Sequence, residues 1–479
     1  MATSYLYKMN TTQYYFDIFR TTRHELETVT QAALSRGGDF ADLYFEYTTF
    51  FNLLLKDGVV SSGGFHTDFG VGIRVLKGEK TGFAYSENTS LNDMIFAAKA
   101  ASTIACSCSD SVKYAPVSDR RLSTYPMLRN WRSESAEALL PFLKALETKV
   151  FASDNRIVKV IARLSNSVSD VMMYNSLGEL TCDSRPMGSV TVTAVFQHNG
   201  KTENNSVSRS FRIGAELISD ALIDELSTEV VRDMDARFEA VRPKGGQMNV
   251  VMGAGASGIL LHEAMGHAFE ADFNRKGQSI FSDKMGKRVC PPGVNVVDDG
   301  TLMNNRGSGN YDDEGVPGQK TYMVTDGILT SYLHDRISAS WYGVESTGNG
   351  RRENFRYNPI PRMRTTYMES GNADPESIIA SVSEGIYVDQ FSNGQVKIGE
   401  GDFTFFVKNG YLIESGRLTA PIKDINVIGN GPQALSEIMA VGNDLKIDNG
   451  TWTCGKEQSV PVSCGMPTVL IRNLVVGGE

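Results

Sequence analysis

Residues 257–267 read SGILLHEAMGH, a stretch that contains two of the chain's six histidines and, directly after the first, a glutamate. An apolar strand is predicted before it at 247–252, and a glycine-rich turn at 253–258 joins the two. Two imidazoles and a carboxylate on one short helix are typical of zinc hydrolases. The stretch therefore predicts a strand, a turn and a helix that carries a candidate metal site.

The spacing of the two histidines is unusual for a shared metal. His262 and His267 stand at positions i and i+5, about 140° apart on a regular helix, whereas histidines at i and i+4 are only about 40° apart. They can share an ion only if the helix widens or ends there. A π-bulge would widen it, and Gly266 suits such a distortion. On a regular helix, hydrogen bonds of the core would satisfy both histidines instead.

A metal site of this kind needs a third ligand, and the sequence leaves its identity open. Glu270 and Asp272 follow on the same helix. Cys454 lies far along the chain in the loop GTWTCGK, residues 450–456. A thiolate between Gly455 and Lys456 would be accessible and would have a lowered pKa. In this scheme Glu263 is the general base that activates a water molecule.

The glycines before the helix match a second motif, Gly253-x-Gly255-x-x-Gly258, which is the dinucleotide-binding fingerprint. No clear second strand and no ribose-binding acid follow at about twenty residues, as that motif requires. We therefore favour a tight strand-to-helix turn. Gly253 and Gly255 are candidate substrate-binding residues, because their backbone N–H groups would be open beside the site.

Two further stretches allow a functional and a structural interpretation. The basic, aromatic loop TGNGRRENFRY, residues 347–357, contains Arg351 and Arg352, which are candidates for gripping a peptide backbone or a terminal carboxylate. The alternative is a solvated loop. The run DDEG, residues 312–315, offers ligands for a hard cation, but a surface turn is the better expectation.

The overall composition excludes some classes of partner. The 479 residues carry a net charge of -9, which argues against a nucleic-acid partner because such proteins present basic surfaces. We find no apolar run of about 18 residues, so no membrane span is expected. The six cysteines are sparse and form no CxxC pair, which is typical of reduced thiols. With no signal-peptide pattern at the N-terminus, the expected location is the cytoplasm.

The order of predicted elements indicates an α+β protein with two domains. Residues 1–243 alternate helices with strand meanders and predict an α+β domain with an antiparallel sheet. Within it we expect strands at 59–67, 70–76, 156–169 and 170–174, a surface connection at 114–130 and a helix at 213–241. The sequence RPKGG at 242–246 breaks the chain. Residues 244–479 carry the histidine helix and then short strands separated by turns, which predict a β-rich, barrel-like domain. Two helices are expected within it, at 375–383 and 432–441.

Several of these blocks together resemble one known family. The sequence ILLHEAMGH at 259–267, followed by FEADFNR at 269–275, is similar to the active-site block of the TldD/PmbA metallopeptidases, which have also been labelled modulators of DNA gyrase. The similar blocks elsewhere lie at 57–85, 312–318, 348–352, 441–445 and 454–456. The resemblance therefore extends along most of the chain.

The resemblance implies a zinc-dependent peptidase with one Zn²⁺ ion per catalytic subunit. In this family the two motif histidines and a C-terminal cysteine hold the metal, which correspond to His262, His267 and Cys454 here. Glu263 corresponds to the general base. A non-enzymatic regulator, as the gyrase label suggests, is the alternative from another functional class.

The resemblance also implies a substrate and a partner. Members cleave unfolded or extended peptides, which bind as an added strand in a chamber between two subunits. The TldD type carries the HExxxH block, and the PmbA (TldE) type lacks it and partners the first. This chain has the complete block, so we expect the catalytic type, either as a homodimer or as a heterodimer with a PmbA/TldE-type homologue.

Overall fold

The computed structural model describes residues 11–105, 118–120, 125, 127–397 and 399–477. It shows an α+β protein in which helices pack on a large N-terminal sheet and a β-barrel forms in the C-terminal half. The predicted fold class is confirmed. None of the helices within the described ranges combines the length and apolarity that crossing a bilayer requires.

The N-terminal half is built on a seven-stranded sheet in the order β3-β2-β1-β5-β6-β4, with β7 also paired to β6. All pairs are antiparallel except β4 with β6. The strands are β1 Phe40–Lys56, β2 Val59–Lys77, β3 Lys80–Ser86, β4 Ser118–Arg120, β5 Ile157–Asn175, β6 Glu179–His198 and β7 Lys201–Phe211. The helices are α1 Thr12–Phe19, α2 Arg23–Leu34, α3 Leu91–Ser102, α4 Ala136–Ser153, α5 Asp220–Val231 and α6 Met234–Glu239.

Some predicted elements of this half have different bounds. The strands expected at 59–67 and 70–76 form the single strand β2, and the two expected between 156 and 174 form β5. Both long strands stay continuous because β1 pairs with each of them along nearly its whole length. The helix expected at 213–241 is interrupted before α6, where Asp233 has a φ of 60°. The predicted linker at 114–130 lies largely outside the described residues.

The C-terminal half contains a closed barrel. Its strands follow the ring β15-β8-β24-β18-β16, and β16 pairs again with β15. A second, six-stranded sheet has the order β11-β10-β9-β14-β23-β20. The strands are β8 Gly246–Met252, β9 Val296–Asp299, β10 Lys320–Thr325, β11 Ile328–Leu329, β12 Gly350–Arg351, β13 Ile360–Pro361, β14 Thr365–Met368, β15 Glu384–Val396, β16 Asp402–Glu414, β17 Arg417–Ile422, β18 Ile425–Asn430, β19 Ile438–Val441, β20 Lys446–Asp448, β21 Thr453–Lys456, β22 Gln458–Pro461, β23 Ser463–Met466 and β24 Val469–Gly477.

The helices of this half are short: α7 Ile259–Leu261, α8 Ala271–Arg275, α9 Arg336–Tyr342, α10 Pro375–Ala380 and α11 Gly431–Ser436. The helix predicted at 375–383 is therefore found as α10. The helix predicted at 432–441 is correct only in its first half, because Ile438–Val441 pairs with β24 as strand β19. The boundary was missed because the sequence contains no turn residue between the helix and this apolar strand.

The motif segment packs into the largest hydrophobic core of the molecule. Its apolar residues Ile259, Leu260, Leu261, Ala264 and Met265 are all buried with barrel residues such as Phe403 and Phe405. Burial of each large side chain contributes about 1.5–3 kcal/mol. The short helix that carries the histidines is therefore stabilised by its packing in the core rather than by its own hydrogen bonds.

The two halves meet through buried polar contacts. Arg74 of β2 is fully buried and forms ion pairs with Asp42 of β1 and with Glu314 of the C-terminal half. Phe355 packs against β2 where Gly70 lacks a side chain, and its N–H donates to Glu46 at 2.9 Å. The boundary at 243/244 stays a prediction.

Candidate metal centre

The turn that follows β8 contains three glycines, and its packing and backbone conformation account for them without a bound nucleotide. A Cβ at Gly253 would collide with the hydroxyl of Tyr387, and one at Gly258 would lie 2.6 Å from the backbone of Gly465. Gly255 has a φ of 105°, a conformation that favours glycine. The helical segment that follows, residues 256–269, combines 3₁₀, α and π turns rather than the regular α-helix of a dinucleotide fold. The structure therefore does not favour the dinucleotide alternative.

The backbone N–H groups of this turn already have partners. Gly253 N–H donates to the carbonyl of Val388 at 2.8 Å, and Gly255 N–H donates to that of Met466 at 2.9 Å. The donors with which Gly253 and Gly255 were expected to hold a substrate are therefore engaged within the fold. Their positions anchor the turn between β15 and β23.

The helix is widened where the histidine spacing required it. Residues His262–Gly266 form a π-helical turn, in which the N–H of His267 donates to the carbonyl of His262 five residues before it. The two imidazole rings meet edge to face, with centroids 5.2 Å apart and planes at 80°. The predicted π-bulge is confirmed, and it brings both rings to one side of the helix.

Gly266 serves this turn by packing rather than by backbone freedom. Its φ of -56° and ψ of -51° are ordinary helical values. A Cβ at this position would collide with Sδ of Met363. The expectation that Gly266 absorbs the distortion is therefore corrected: the glycine makes room for a buried methionine next to the π turn.

Cys454 lies against both histidines although it is far away in the sequence. Its Sγ is 3.2 Å from Nε2 of His267, a residue 187 positions earlier. One ligand atom from each of His262, His267 and Cys454 lies within 4.8 Å of the others, and all three residues are buried. Cys454 reaches this place on β21, which pairs with β22 as a hairpin between β20 and β23.

The thiol of Cys454 is held as a thiolate. Burial raises its pKa, but the charge and hydrogen bonds of His262 and His267 outweigh this and lower the pKa to about 4. The thiolate is the form that binds metals. The pKa of His267 is raised because Glu270 and Cys454 outweigh the opposing effect of its burial.

Glu270, a candidate ligand, instead supports His267. Its Oε2 lies 3.0 Å from Nδ1 of His267 and 3.0 Å from Nζ of Lys456. Burial raises the pKa of Glu270, but Lys456 and then His267 lower it to about 2. Because the ionised carboxylate only accepts, Nδ1 of His267 donates a proton to it, and Nε2 is the ring nitrogen that faces Cys454.

Asp272, the other candidate on the helix, pairs with the same lysine. Its Oδ1 lies 2.8 Å from Nζ of Lys456. Lys456 was expected to act on the Cys454 thiol, but its ammonium group points to Glu270 and Asp272. The support of His267 by Glu270 was not predicted, although the spacing of three residues between them would have indicated it.

The donor set suits zinc. Two imidazoles and a thiolate are preferred zinc ligands, and three protein ligands leave a fourth position for water or substrate. Nδ1 of His262 is buried and has no hydrogen-bond partner in the part of the chain that the structure describes. A buried ring nitrogen without a partner costs stability unless a further group binds there.

Glu263 lies in the same π turn but differs from the three candidate ligands in exposure. It is half-buried, whereas His262, His267 and Cys454 are buried. The pKa of Cys464 is raised by burial, then by Asp448 and Glu263. Glu263 therefore lies close enough to Cys464 of β23 to influence its pKa, and the residue is partly exposed.

Arg351 and Arg352 of the arginine loop are buried, so the interpretation as a solvated loop is wrong for them, whereas Glu353 and Tyr357 of the same loop are exposed. Arg351 donates to the carbonyls of Met363 and Pro461. Arg352 donates to the carbonyl of Asp313 at 3.1 Å, and its guanidinium lies 4.2 Å from the centre of the Tyr44 ring. Arg352 thus joins the loop to β1 of the N-terminal sheet.

The acidic run at 312–315 is also buried rather than a surface turn. Asp312 accepts hydrogen bonds from the N–H groups of Glu314 and Val316, both at 2.9 Å. Asp313 pairs with Arg185 at 2.6 Å, and Glu314 pairs with Arg74 at 2.7 Å. These carboxylates are committed to the contact between the halves, so the arrangement does not favour a hard-cation site.

Comparison with known proteins identifies the family. Residues 41–105 match the PmbA/TldA metallopeptidase domain 1, residues 129–237 match its central domain, and residues 245–478 match its C-terminal domain. The chain belongs to the TldD/PmbA metallopeptidase family. It is an enzyme of the metallopeptidase class, and the resemblance read from its motifs is confirmed.

Individual TldD/PmbA proteins support this assignment over most of the chain. A metalloprotease TldD homologue from Haemophilus influenzae is 38% identical over 92% of this chain and 94% of its own length. A protein from Saccharolobus solfataricus named zinc metalloprotease TldD homologue is 30% identical over 53% of this chain and 57% of its own length.

Solved TldD/PmbA-type structures share the fold. A putative modulator of a DNA gyrase from Thermotoga maritima has a TM-score of 0.77 at 22% identity, covering 95% of this chain and 100% of its own. TldE from Thermococcus kodakarensis has a TM-score of 0.75 at 17% identity, again over 95% and 100%. At these identities the likeness concerns the fold.

Proposed function

We propose that this metallopeptidase is a zinc-dependent peptidase of the TldD type, with His262, His267 and Cys454 as the metal ligands. The observation that carries the proposal is the meeting of two imidazoles and a thiolate in one buried cluster. The name of the Saccharolobus solfataricus relative, a zinc metalloprotease, supports the choice of metal.

The residues of the chain divide the chemistry between them. A zinc ion held by the cluster supplies Lewis-acid polarisation of the scissile carbonyl and lowers the pKa of water. Glu263 takes the proton from the attacking water and delivers it to the leaving amine. Glu270 keeps the proton of His267 on Nδ1, which leaves Nε2 free for the ligand role.

We further propose that the substrates are unfolded or extended peptides that add as a strand to the protein. The partner is a second copy of this chain or a PmbA/TldE-type homologue, and the fold likeness to TldE supports a partner of this type. The sparse cysteines, which form no CxxC pair in the sequence, support a reducing compartment, the cytoplasm. No feature of the site favours the alternative of a non-enzymatic regulator.

The proposal is tested by elemental analysis and a peptide-cleavage assay on freshly purified protein. We expect about one zinc ion per chain and hydrolysis of unfolded peptides. Cys454→Ser should lose most of the zinc and the hydrolysis, because serine replaces a thiolate ligand. Cys290→Ser is the matched control, since Cys290 is equally buried but lies outside the cluster. Zinc content unchanged by Cys454→Ser would exclude this ligand set.

A further inference from the structure

A cavity of about 270 Å³ lies between the N-terminal sheet and the C-terminal half, apart from the ligand cluster. One wall comes from β1, β5 and β6, which contribute residues such as Tyr44, Phe50 and Met187. The other wall comes from the arginine loop and from the β21–β22 hairpin that carries Cys454. The cavity therefore combines apolar surface with polar groups at a junction of the two halves.

Four guanidinium groups line this cavity without a carboxylate partner. They belong to Arg212, Arg306, Arg351 and Arg364. Across the described ranges, no Asp or Glu oxygen lies within 4.0 Å of any of them. Three of them donate to neutral groups instead: Arg351 binds two carbonyls, Arg306 donates from Nε to the carbonyl of Trp452 at 2.8 Å, and Arg364 donates from Nε to that of Gly348 at 2.8 Å.

Two of the arginines also keep buried donors unused. Nε of Arg212 and Nη2 of Arg364 are buried and have no hydrogen-bond partner among the described residues. Both side chains belong to residues at least nine-tenths buried, with exposures of 8% and 3%. A buried cationic donor without an acceptor is costly unless a bound anion supplies one.

The carboxylates at the same cavity do not neutralise this charge. Asp313 is paired with Arg185, and Glu353, which accepts from the N–H of Ser459 at 2.6 Å, is exposed to solvent that screens its charge. Burial raises the pKa of Asp312 and of Glu46 to about 7 in each case. Six arginines line the cavity against these four carboxylates, so the wall carries excess positive charge even when all four are ionised.

The arginines repel one another in this setting. Burial lowers the pKa of Arg351 well below its ordinary value, and Arg364 and Arg212 lower it further. Burial, together with Arg212, lowers the pKa of Arg306 to about 10. A bound anion would relieve both the repulsion and the unused donors, and the planar fork of arginine matches a carboxylate in particular.

We propose that this cavity binds the carboxylate of a small ligand with an apolar body, such as an amino acid or the C-terminal end of a short peptide. A single negative charge fits the wall better than a phosphate dianion, because Glu46 and Asp312 also face the cavity. Tyr44, Phe50 and Val460 provide the apolar surface. The volume is below the roughly 300–1,000 Å³ of pockets for drug-sized ligands, which indicates a ligand of small size.

The cavity is connected to the metal centre through one strand. Thr453 lines the cavity and accepts a hydrogen bond from Nη2 of Arg306 at 3.3 Å, and the next residue is Cys454. Successive side chains of a strand point to opposite faces. Peptide hydrolysis releases a new carboxylate at each cleavage, so the ligand is chemically related to the reaction. This relation between the ligand and the reaction rests on the proposed function, whereas the binding of a carboxylate in the cavity does not.

The test compares N-acetyl-leucine with N-acetyl-leucinamide by calorimetric titration of the full-length protein. We expect the acid to bind about tenfold more tightly than the amide, because only the acid forms charge-assisted hydrogen bonds. Arg306→Gln should reduce this preference to less than about twofold. Arg472→Gln, a half-exposed arginine outside the cavity, is the matched control and should keep it.

Titrations of a Cys454→Ser variant and titrations with inorganic phosphate show where the acid binds and which anion the cavity prefers. Cys454→Ser should keep the preference for the acid if the cavity binds it, and should lose it if zinc binds it. This result also separates the inference from the proposed function, which Cys454→Ser tests by zinc content. Inorganic phosphate that binds more tightly than the acid, or equal binding of acid and amide, would overturn the carboxylate assignment.

Discussion

Glu263 is the residue on which the proposed chemistry depends. Replacement by glutamine keeps the shape of the side chain but removes the base, so Glu263→Gln should lower peptide hydrolysis about 10²- to 10⁴-fold. Zinc content should stay the same, because Glu263 is not among the three clustered ligands. Glu345→Gln, an exposed position in a loop, is the control. Hydrolysis that persists in Glu263→Gln would remove this residue from the mechanism.

Glu270 is expected to act through His267 rather than on the substrate. Glu270→Gln removes the charge that faces Nδ1 of His267, so zinc affinity should fall about 10- to 100-fold in a competition titration with a chelator. Asp272→Asn is the matched control, because Asp272 shares Lys456 with Glu270 but does not contact His267. An equal loss of affinity in both variants would assign the effect to Lys456 instead.

At the scale of single residues, the sequence predicted the chemical roles of side chains better than it predicted which side chains are buried. A metal shared by the two histidines required a helix that widens or ends between them, and the structure has a π turn there. The buried state of Arg351 and Arg352 was not predictable, because arginines next to Gly, Asn and Glu are usually solvated. Their burial depends on partners such as Tyr44, more than 300 residues away in the chain.

At the scale of elements, the π turn depends on its fit against Met363. Gly266→Ala places a methyl group against Sδ of Met363, which should cost about 1–3 kcal/mol of stability and weaken zinc binding. Combining it with Met363→Ala should restore part of the zinc affinity, because the collision is removed. Gly63→Ala serves as control, since its Cβ would meet nothing nearer than 3.4 Å. Thermal melts and zinc titration measure both effects.

The types of the elements could be predicted from the local sequence pattern, but the residues at which they begin and end could not. The apolar run 432–441 predicted one helix, whereas only α11 is helical and β19 joins the barrel. The deciding partner, β24, lies about 30 residues further on. Long strands such as β2 and β5 were divided in the prediction for the same reason, because their continuity comes from pairing with β1.

At the scale of the whole molecule, the two halves are joined by a buried ion pair. Glu314→Gln leaves Arg74 with Asp42 alone in a fully buried position, which should cost about 3–5 kcal/mol and lower the melting temperature. Glu400→Gln breaks only the exposed pair with Lys397 and should change stability by less than about 1 kcal/mol. A Glu314→Gln variant as stable as this control would show that other contacts join the halves.

A barrel-like C-terminal domain was predicted and is confirmed, but the strand pairing that closes the barrel was not predicted. The ring requires β8, which follows the break at 242–246, to pair with β24 at the end of the chain. Pairing over more than 200 residues leaves no trace in local periodicity. The meeting of Cys454 with the histidines was accordingly implied by the family resemblance and not by the spacing of the residues.

The placement of Cys454 has a consequence for the synthesis of the protein. Residues 262 and 267 leave the ribosome long before residue 454 of the 479-residue chain. A chain synthesised no further than residue 453 therefore contains at most two of the three proposed ligands. The proposed metal site can form only after Cys454 has been added, so a nascent chain with both histidines still lacks the centre that would cleave unfolded peptides.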